Sequence, residues 1–291
     1  MVSEKLSHSF SRQIFGWLAV FASAFCFYLA TVIIRWSEAE VNIESAYFVF
    51  ARFFLGFIVV SVTMILQRQR LQPKNYHYLL GRTIANTVAV FCFYKAVAVG
   101  TVSEANILNM TYPLFVALFS WFFLKSQRDI FSIVVVIFAF IGVWLVLSPS
   151  DMGGGIGNVW GLISGVSAAA AILYLNVSRR CHDSQTILFV LFTLGAVLVY
   201  CIFYESIFWP NKREFEYLFA CSVAGVAGQY LLTYGFLFVT AVEGSIISST
   251  RILVAALLGP LIAGDPALEI MGWCGALIIF TANAVLAIRK S

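Results

Sequence analysis

The chain has 291 residues, 61% of them hydrophobic and only 11% charged, with a net charge of +4. A single soluble core stops growing well before that apolar fraction, so the composition excludes a soluble globule and indicates an integral membrane protein. Ten apolar runs near the roughly 20 residues that a bilayer requires use up the chain and leave no room for a soluble catalytic or regulatory domain.

The runs predict spans at 14–34, 46–66, 77–98, 104–124, 130–148, 157–178, 186–206, 216–238, 244–263 and 269–288. The first carries Ala22-Ser23-Ala24, which resembles a signal cleavage site but lies mid-run, so it reads as an uncleaved span. It holds no acid and two aromatic candidates for a cavity wall, Trp17 and Tyr28. The second span holds Arg52, and the third holds Asn86, Tyr94 and Lys95, the last placed to snorkel near the helix end.

The fourth span puts Asn106, Asn109, Thr111 and Pro113 where hydrocarbon favours Leu. Buried amides need partners and a mid-helix proline frees a carbonyl, so polar groups and a helix fault stand at membrane depth. At helical spacing Asn106, Asn109, Pro113, Ala117 and Ser120 share a face, as do Gly244, Ser248, Arg251 and Ala255 in the ninth span. Such stripes serve either as interhelical packing or as the wall of a polar cavity. Tyr174 in the sixth span and Tyr230 and Tyr234 in the eighth are further wall candidates. Glu104 and Glu243 open the fourth and ninth helices, where a carboxylate complements the helix dipole, with gating as the alternative role.

With the N-terminus cytoplasmic, twelve Lys and Arg, Arg82 among them, fall on the inner face and three (Arg35, Lys212, Arg213) on the outer; Arg52, Lys95 and Arg251 lie within spans. That asymmetry predicts a multi-pass protein of the plasma (inner) membrane with both termini cytoplasmic. A shift of 140 residues lays 94–124 over 234–264, with Tyr94 on Tyr234 and Ile107 on Ile247. A five-span unit is odd, so the copies insert with opposite sense. The expected fold is all-α, ten transmembrane helices in a 5+5 inverted repeat, 14–148 and 157–288, joined by the Gly-rich outer linker 148–158.

The Arg in ARFFLGF (51–57), the polar stretch before Pro in EANILNMTYPLFVALFSWFFLK (104–125), the Gly in FIGVWLVL (140–147) and GLISGVSAAAAILYLNVSRR (161–180) resemble the drug/metabolite transporter superfamily, in the form with two EamA domains. The resemblance equates Arg52 with the family's second-span Arg. Departures fall at Lys125-Ser126 and Gly264-Asp265, where the family often has Gly-Glu, and at Leu253, which stands opposite Pro113 while the second half's proline is Pro260.

These observations predict a secondary transporter, not an enzyme, moving a small anionic or zwitterionic metabolite (amino acid, organic acid or nucleoside-like) by alternating access. The expected substrate set is Tyr28, Asn86, Tyr94, Asn106, Asn109, Tyr230, Tyr234, Ser248 and Arg251; the gating or structural set is Arg52, Lys95, Glu104, Pro113 and Glu243. A proton or counter-substrate and the lipid bilayer complete the partners, with no nucleic acid, cofactor or metal. A proton-coupled exporter of lipophilic cations is the alternative, and it calls for a membrane acid that the first span lacks. An intramembrane enzyme lacks nucleophile–base spacing here.

Overall fold

Hydrocarbon offers no partner to a backbone N–H or C=O, so a spanning chain satisfies both within helices. The computed structural model describes residues 2–123, 130–147, 155–235, 237–239 and 241–289, and these are helical apart from short connections. In order they are α1 (Val2–Ser37), α2 (Ser45–Leu66), α3 (Tyr76–Val99), α4 (Val102–Asn109), α5 (Tyr112–Phe123), α6 (Ile130–Leu147), α7 (Gly155–Ser178), α8 (Ser184–Ile202), α9 (Lys212–Gly235), α10 (Ala241–Leu258) and α11 (Ile270–Arg289). Six of them are long and apolar enough to cross a membrane, with shorter apolar helices at Ile133–Val146, Ile247–Ala263 and Ile270–Leu286. Lys125-Ser126 and most of the 148–158 join lie outside the described residues.

Three boundaries differ from the sequence expectation. α1 begins at Val2 rather than at residue 14, because the polar stretch before the apolar run continues the same helix. The fourth span is two helices, α4 and α5, broken at Met110-Thr111. Pro113 has no N–H for the carbonyl four residues back, so it takes the second position of a new helix, where none is needed. The ninth span runs from α10 into a π turn, Gly259–Ala263, which contains Pro260 and ends on Gly264 at φ 69. The displaced proline therefore perturbs the second half near the helix end instead of mid-span.

The broadest interfaces each pair a helix of the first half with one of the second: α3 with α7, α1 with α9, α2 with α8 and α6 with α11. Exchanging the halves turns the first pair into the second and the last two into themselves, the contact pattern of a two-fold related repeat. Within α2·α8 the relation reaches single atoms. A Cβ added to Gly56 would come 2.4 Å from the Phe192 ring, and one added to Gly195 would come 2.6 Å from Phe53. Each phenylalanine fills the notch left by the other helix's glycine, and the two rings meet edge-on at 6.2 Å.

Polar contacts separate the two ends of the bundle. At the first end, Tyr47 Oη donates to the Phe208 carbonyl at 2.6 Å, Ser206 Oγ to Glu44 at 2.6 Å, and Trp36 Nε1 to the Ile262 carbonyl at 2.8 Å. There too, Asp265 accepts from the Ser103 N–H at 3.2 Å and faces Arg35 Nε at 3.6 Å. At the second end, the Lys74 N–H donates to His182 at 3.0 Å, Arg179 to the Thr233 carbonyl at 3.4 Å, and Gln185 to Tyr234 at 2.6 Å.

Candidate functional site

The break in the fourth span is built to be buried. The Thr111 hydroxyl donates to the Leu108 carbonyl at 2.6 Å, and Asn283 of α11 donates to the Met110 carbonyl at 2.9 Å, so two of the carbonyls at the break have side-chain donors. α7 meets the break through Gly165, where a Cβ would sit 2.5 Å from the Thr111 hydroxyl and 2.9 Å from the Leu108 carbonyl. Only glycine lets the two backbones approach so closely.

Beside the break, a hydrogen bond from Arg251 Nη2 to Asn109 Oδ1 joins α10 to α4. Asn109 Nδ2 donates to Ser164 Oγ at 2.6 Å, and Ser164 Oγ donates to the Ala89 carbonyl at 2.9 Å. The relay crosses α10, α4, α7 and α3. The Arg251 guanidinium lies 5.1 Å from the Phe93 ring centre and 5.8 Å from that of Phe27. Arg52 lies 5.2 Å from the Phe27 ring and donates to Tyr94 Oη at 3.1 Å, so one aromatic ring serves two cations. Gly225 of α9 makes room for Arg52, since a Cβ there would come 2.7 Å from Arg52 Cδ.

These groups line a cavity of about 110 Å³ whose polar wall is Ser23, Arg52, Arg82, Asn86, Asn109, Tyr112, Gln229, Ser248 and Arg251. Its apolar wall includes Phe27, Ala89, Val90, Phe93, Ala168, Ala171 and Ile172. Three guanidinium groups and no carboxylate line it among the described residues. The arginines are 3% (Arg52), 4% (Arg82) and 4% (Arg251) exposed, too deep for their charge to be relieved by solvent alone. On the first-end side of Phe27 and Phe93, Tyr28, Tyr94 and Cys221 are fully buried and stand outside the lining. Towards the second end it runs past Arg82 and Leu232.

Of the residues expected to meet substrate, Asn86, Asn109, Ser248 and Arg251 line this cavity together, and Arg52 joins them from the gating set. Tyr28, Tyr94 and Asn106 lie outside its lining. Asn106 Nδ2 donates to Thr31 at 3.1 Å and to the Val102 carbonyl at 2.8 Å, which ties α4 to α1. Tyr230 and Tyr234 stack on each other at 6.2 Å near the second end, where Tyr234 accepts from Gln185. Trp17 and Tyr174 are 36% and 40% exposed on the outside of the bundle. Thr101 caps α4 with Glu104 as its partner in the first turn: the Glu104 N–H donates to Thr101 Oγ1 at 3.1 Å, and the Thr101 hydroxyl donates to the Glu104 carboxylate at 3.0 Å. Lys95 is half-buried next to the chain turn at Gly100. The side chains of Glu243 and Ser120 lie outside those described.

Arg82 is the correction with most consequence. Its place near the start of its span puts it with the inner-face charges in the sequence, yet it is buried on α3 and lines the cavity. Eleven inner-face cations against three remain from that count, and the cavity gains a third guanidinium. Gln229, Ser23 and Tyr112 were also missed. A neutral polar residue on a helix without a polar stripe gives no signal of which way it faces.

A match to the EamA-like transporter family covers residues 14–148 and again 155–288. The chain belongs to that family. It is 27% identical over 223 residues to the pseudopaline exporter CntI of Pseudomonas aeruginosa, covering 75% of this chain and 77% of that one. An uncharacterized transporter of Helicobacter pylori is 23% identical over 222 residues, 74% of each chain. Solute carrier family 35 member G1 of Mus musculus matches over 129 residues at 24%, covering 44% of this chain and 34% of that one. A crystal structure of another protein superposes with a TM-score of 0.61 over 96% of this chain and 98% of its own, at 18% identity, a likeness of fold alone. The protein is thus a multi-pass membrane transporter of the drug/metabolite superfamily with the two-repeat EamA architecture.

Proposed function

We propose that this EamA transporter is a secondary carrier of a small anionic or zwitterionic metabolite, such as an amino acid or organic acid, moved by alternating access across the plasma membrane. The observation that carries the reading is the cavity wall: Arg52, Arg82 and Arg251 with amide and hydroxyl groups between them and no acid. A cargo cation within about 4 Å of one guanidinium would meet a repulsion on the order of 4 kcal/mol at an effective dielectric near 20, and three such groups disfavour it further. The same field attracts a carboxylate and offers it charge-assisted hydrogen bonds. This weighs against the cation-exporter alternative. With both termini cytoplasmic, the first end is the outer face and the lining, which includes Arg82 and Leu232, reaches towards the cytoplasmic end, which supports an inward-facing carrier. The pseudopaline exporter among its relatives favours testing export first.

The test is uptake and efflux in proteoliposomes of labelled carboxylates beside their amides, with and without a pH gradient, in the wild type and in Arg251→Gln. Carboxylates should move and their amides should not, and Arg251→Gln should lower carboxylate transport at least about tenfold, the effect of about 1.4 kcal/mol. Equal movement of amides, or preferential movement of organic cations, would overturn the reading.

A further inference from the structure

The three cavity arginines are not equivalent. Arg52 and Arg251 flank the same ring, Phe27, and engage Tyr94 and Asn109, so they form one cluster at the level of Phe93 and Tyr94 of α3. Arg82 stands on α3 itself, eleven residues before Phe93. At about 1.5 Å per residue, its backbone lies roughly 16 Å further along the helix axis. A long helical side chain leans towards the N-terminus of its own helix, which for Arg82 is away from the cluster. One carboxylate or phosphate cannot pair with both.

Besides the Ser248 hydroxyl, four buried nitrogen donors among the described lining residues lack a hydrogen-bond partner: Nε of Arg52, Nε of Arg82, Nε of Arg251 and Nδ2 of Asn86. They sort by position into the two groups just described. Arg52 and Arg251 lie at one end, and Arg82 with Asn86, one helical turn apart on α3, at the other. All four are donors, so what would satisfy them is acceptors, and the positive charge at each end selects anionic ones. Between the ends the α3 and α7 side of the wall is apolar (Ala89, Val90, Ala168, Ala171 and Ile172), while Ser23 of α1 and Gln229 of α9 add polar groups on the other side. A further cation, Arg179, stands beyond Arg82 at the second end and donates to the Thr233 carbonyl.

We infer that the cargo carries two anionic groups at opposite ends of a short apolar chain, one held by Arg52 and Arg251 and the other by Arg82 with Asn86. The inference rests on the anion-carrier reading and deepens it: Arg82 becomes the residue that separates dianions from monoanions. A molecule with one carboxylate leaves one set of buried donors unpaired, and the cost of that orphaned charge is the source of the discrimination.

The experiment uses the purified full chain and a probe series from adipate to sebacate, each diacid paired with its half-amide of equal length, with binding and proteoliposome counterflow as readouts. In the wild type the best diacid should bind at least about tenfold tighter than its half-amide. Arg82→Gln should bring that diacid down to the half-amide's level and weaken the half-amide by a smaller factor than the diacid, since a half-amide can still seat its single carboxylate at the Arg52–Arg251 cluster. Arg82→Lys should keep a diacid preference reduced in size, because it retains the charge and loses the planar fork. This variant also serves if Arg82→Gln does not yield monodisperse protein. Equal loss for diacid and half-amide in both variants would make Arg82 a structural cation and overturn the inference. So would equal binding of diacids and half-amides by the wild type, while the anion-carrier reading stood. If neither binds the wild type, the carrier reading fails and the inference with it.

Discussion

Arg251 on α10 donates to the amide oxygen of Asn109 on α4, and the amide nitrogen of Asn109 donates onward to Ser164 on α7. One amide thus uses both of its ends to orient the most deeply placed cation of the ninth span and to hold the broken fourth span against its neighbour. Helices that slide past each other between two access states would have to remake or carry this contact.

Replacing Asn109 by Asp puts a carboxylate where the Arg251 guanidinium finds its acceptor. Asn109→Asp should fold, because the pair is charge-matched, and should lose anion transport by at least about tenfold, because Arg251 is then neutralised from within. Asn109→Leu removes both hydrogen bonds and should cost about 1–3 kcal/mol of stability, read as a lower Tm, together with the transport loss. Full anion transport by Asn109→Asp would show that Arg251 does not face the cargo.

Gly225→Ala tests the seat of Arg52. The added methyl would lie 2.7 Å from Cδ and 2.8 Å from Nε of Arg52, so the guanidinium must leave Tyr94 or α9 must move away. Overpacking of this kind costs about 1–3 kcal/mol, and we expect a lower Tm and weaker anion binding together. An unchanged Tm with unchanged binding would mean that Arg52 has slack in its site.

Asp265 supplies a pH dependence. Its carboxylate is buried in the connection after α10, against Arg35, Glu38, Glu104 and the Tyr28 hydroxyl. Loss of hydration raises its pKa above the usual aspartate value, outweighing the lowering by the Ser103 N–H and by Arg35. The packed state therefore binds the proton more tightly than an open one does. The stability from this group is fully present below the ordinary aspartate value of about 3.9 and is lost as pH rises through the raised value. Acidifying the first-end face should tighten its closure, measured as slower labelling of a cysteine introduced at Ser103. Asp265→Asn keeps an acceptor for the Ser103 N–H and should remove that pH response; a response unchanged by Asp265→Asn would assign it to Glu38 or Glu104.

The orientation of the bundle is tested from outside. Trp209 is 96% exposed in the first-end connection between α8 and α9, and Gln69 is exposed in the second-end connection between α2 and α3. In a Cys201→Ser background, a cysteine at Trp209 should react with an impermeant reagent in intact cells and one at Gln69 only after permeabilisation. The reverse pattern would overturn cytoplasmic termini.

What the residues determine alone is whatever the bilayer penalises. Spans are legible because each needs an apolar run of fixed length, and the fault at Pro113 because proline lacks an N–H. Asn109 and Arg251 stood out because nothing polar belongs mid-span without a reason. Gly56 and Gly195 are letters in a sequence until Phe192 and Phe53 are seen to fill their notches. The tertiary structure alone decided which way each helix faces. In water an apolar stripe fixes the rotation, but in lipid the outer face is as apolar as the inner one, so rotation is set by close packing and hydrogen bonds. That is why Tyr28 and Tyr94 stand outside the cavity lining, and Tyr230 and Tyr234 became a stacked pair near the second end. It is also why Arg82, near enough to its helix end to pass for a surface charge, is held inside: α3 packs against α7 along its length and turns that residue inward.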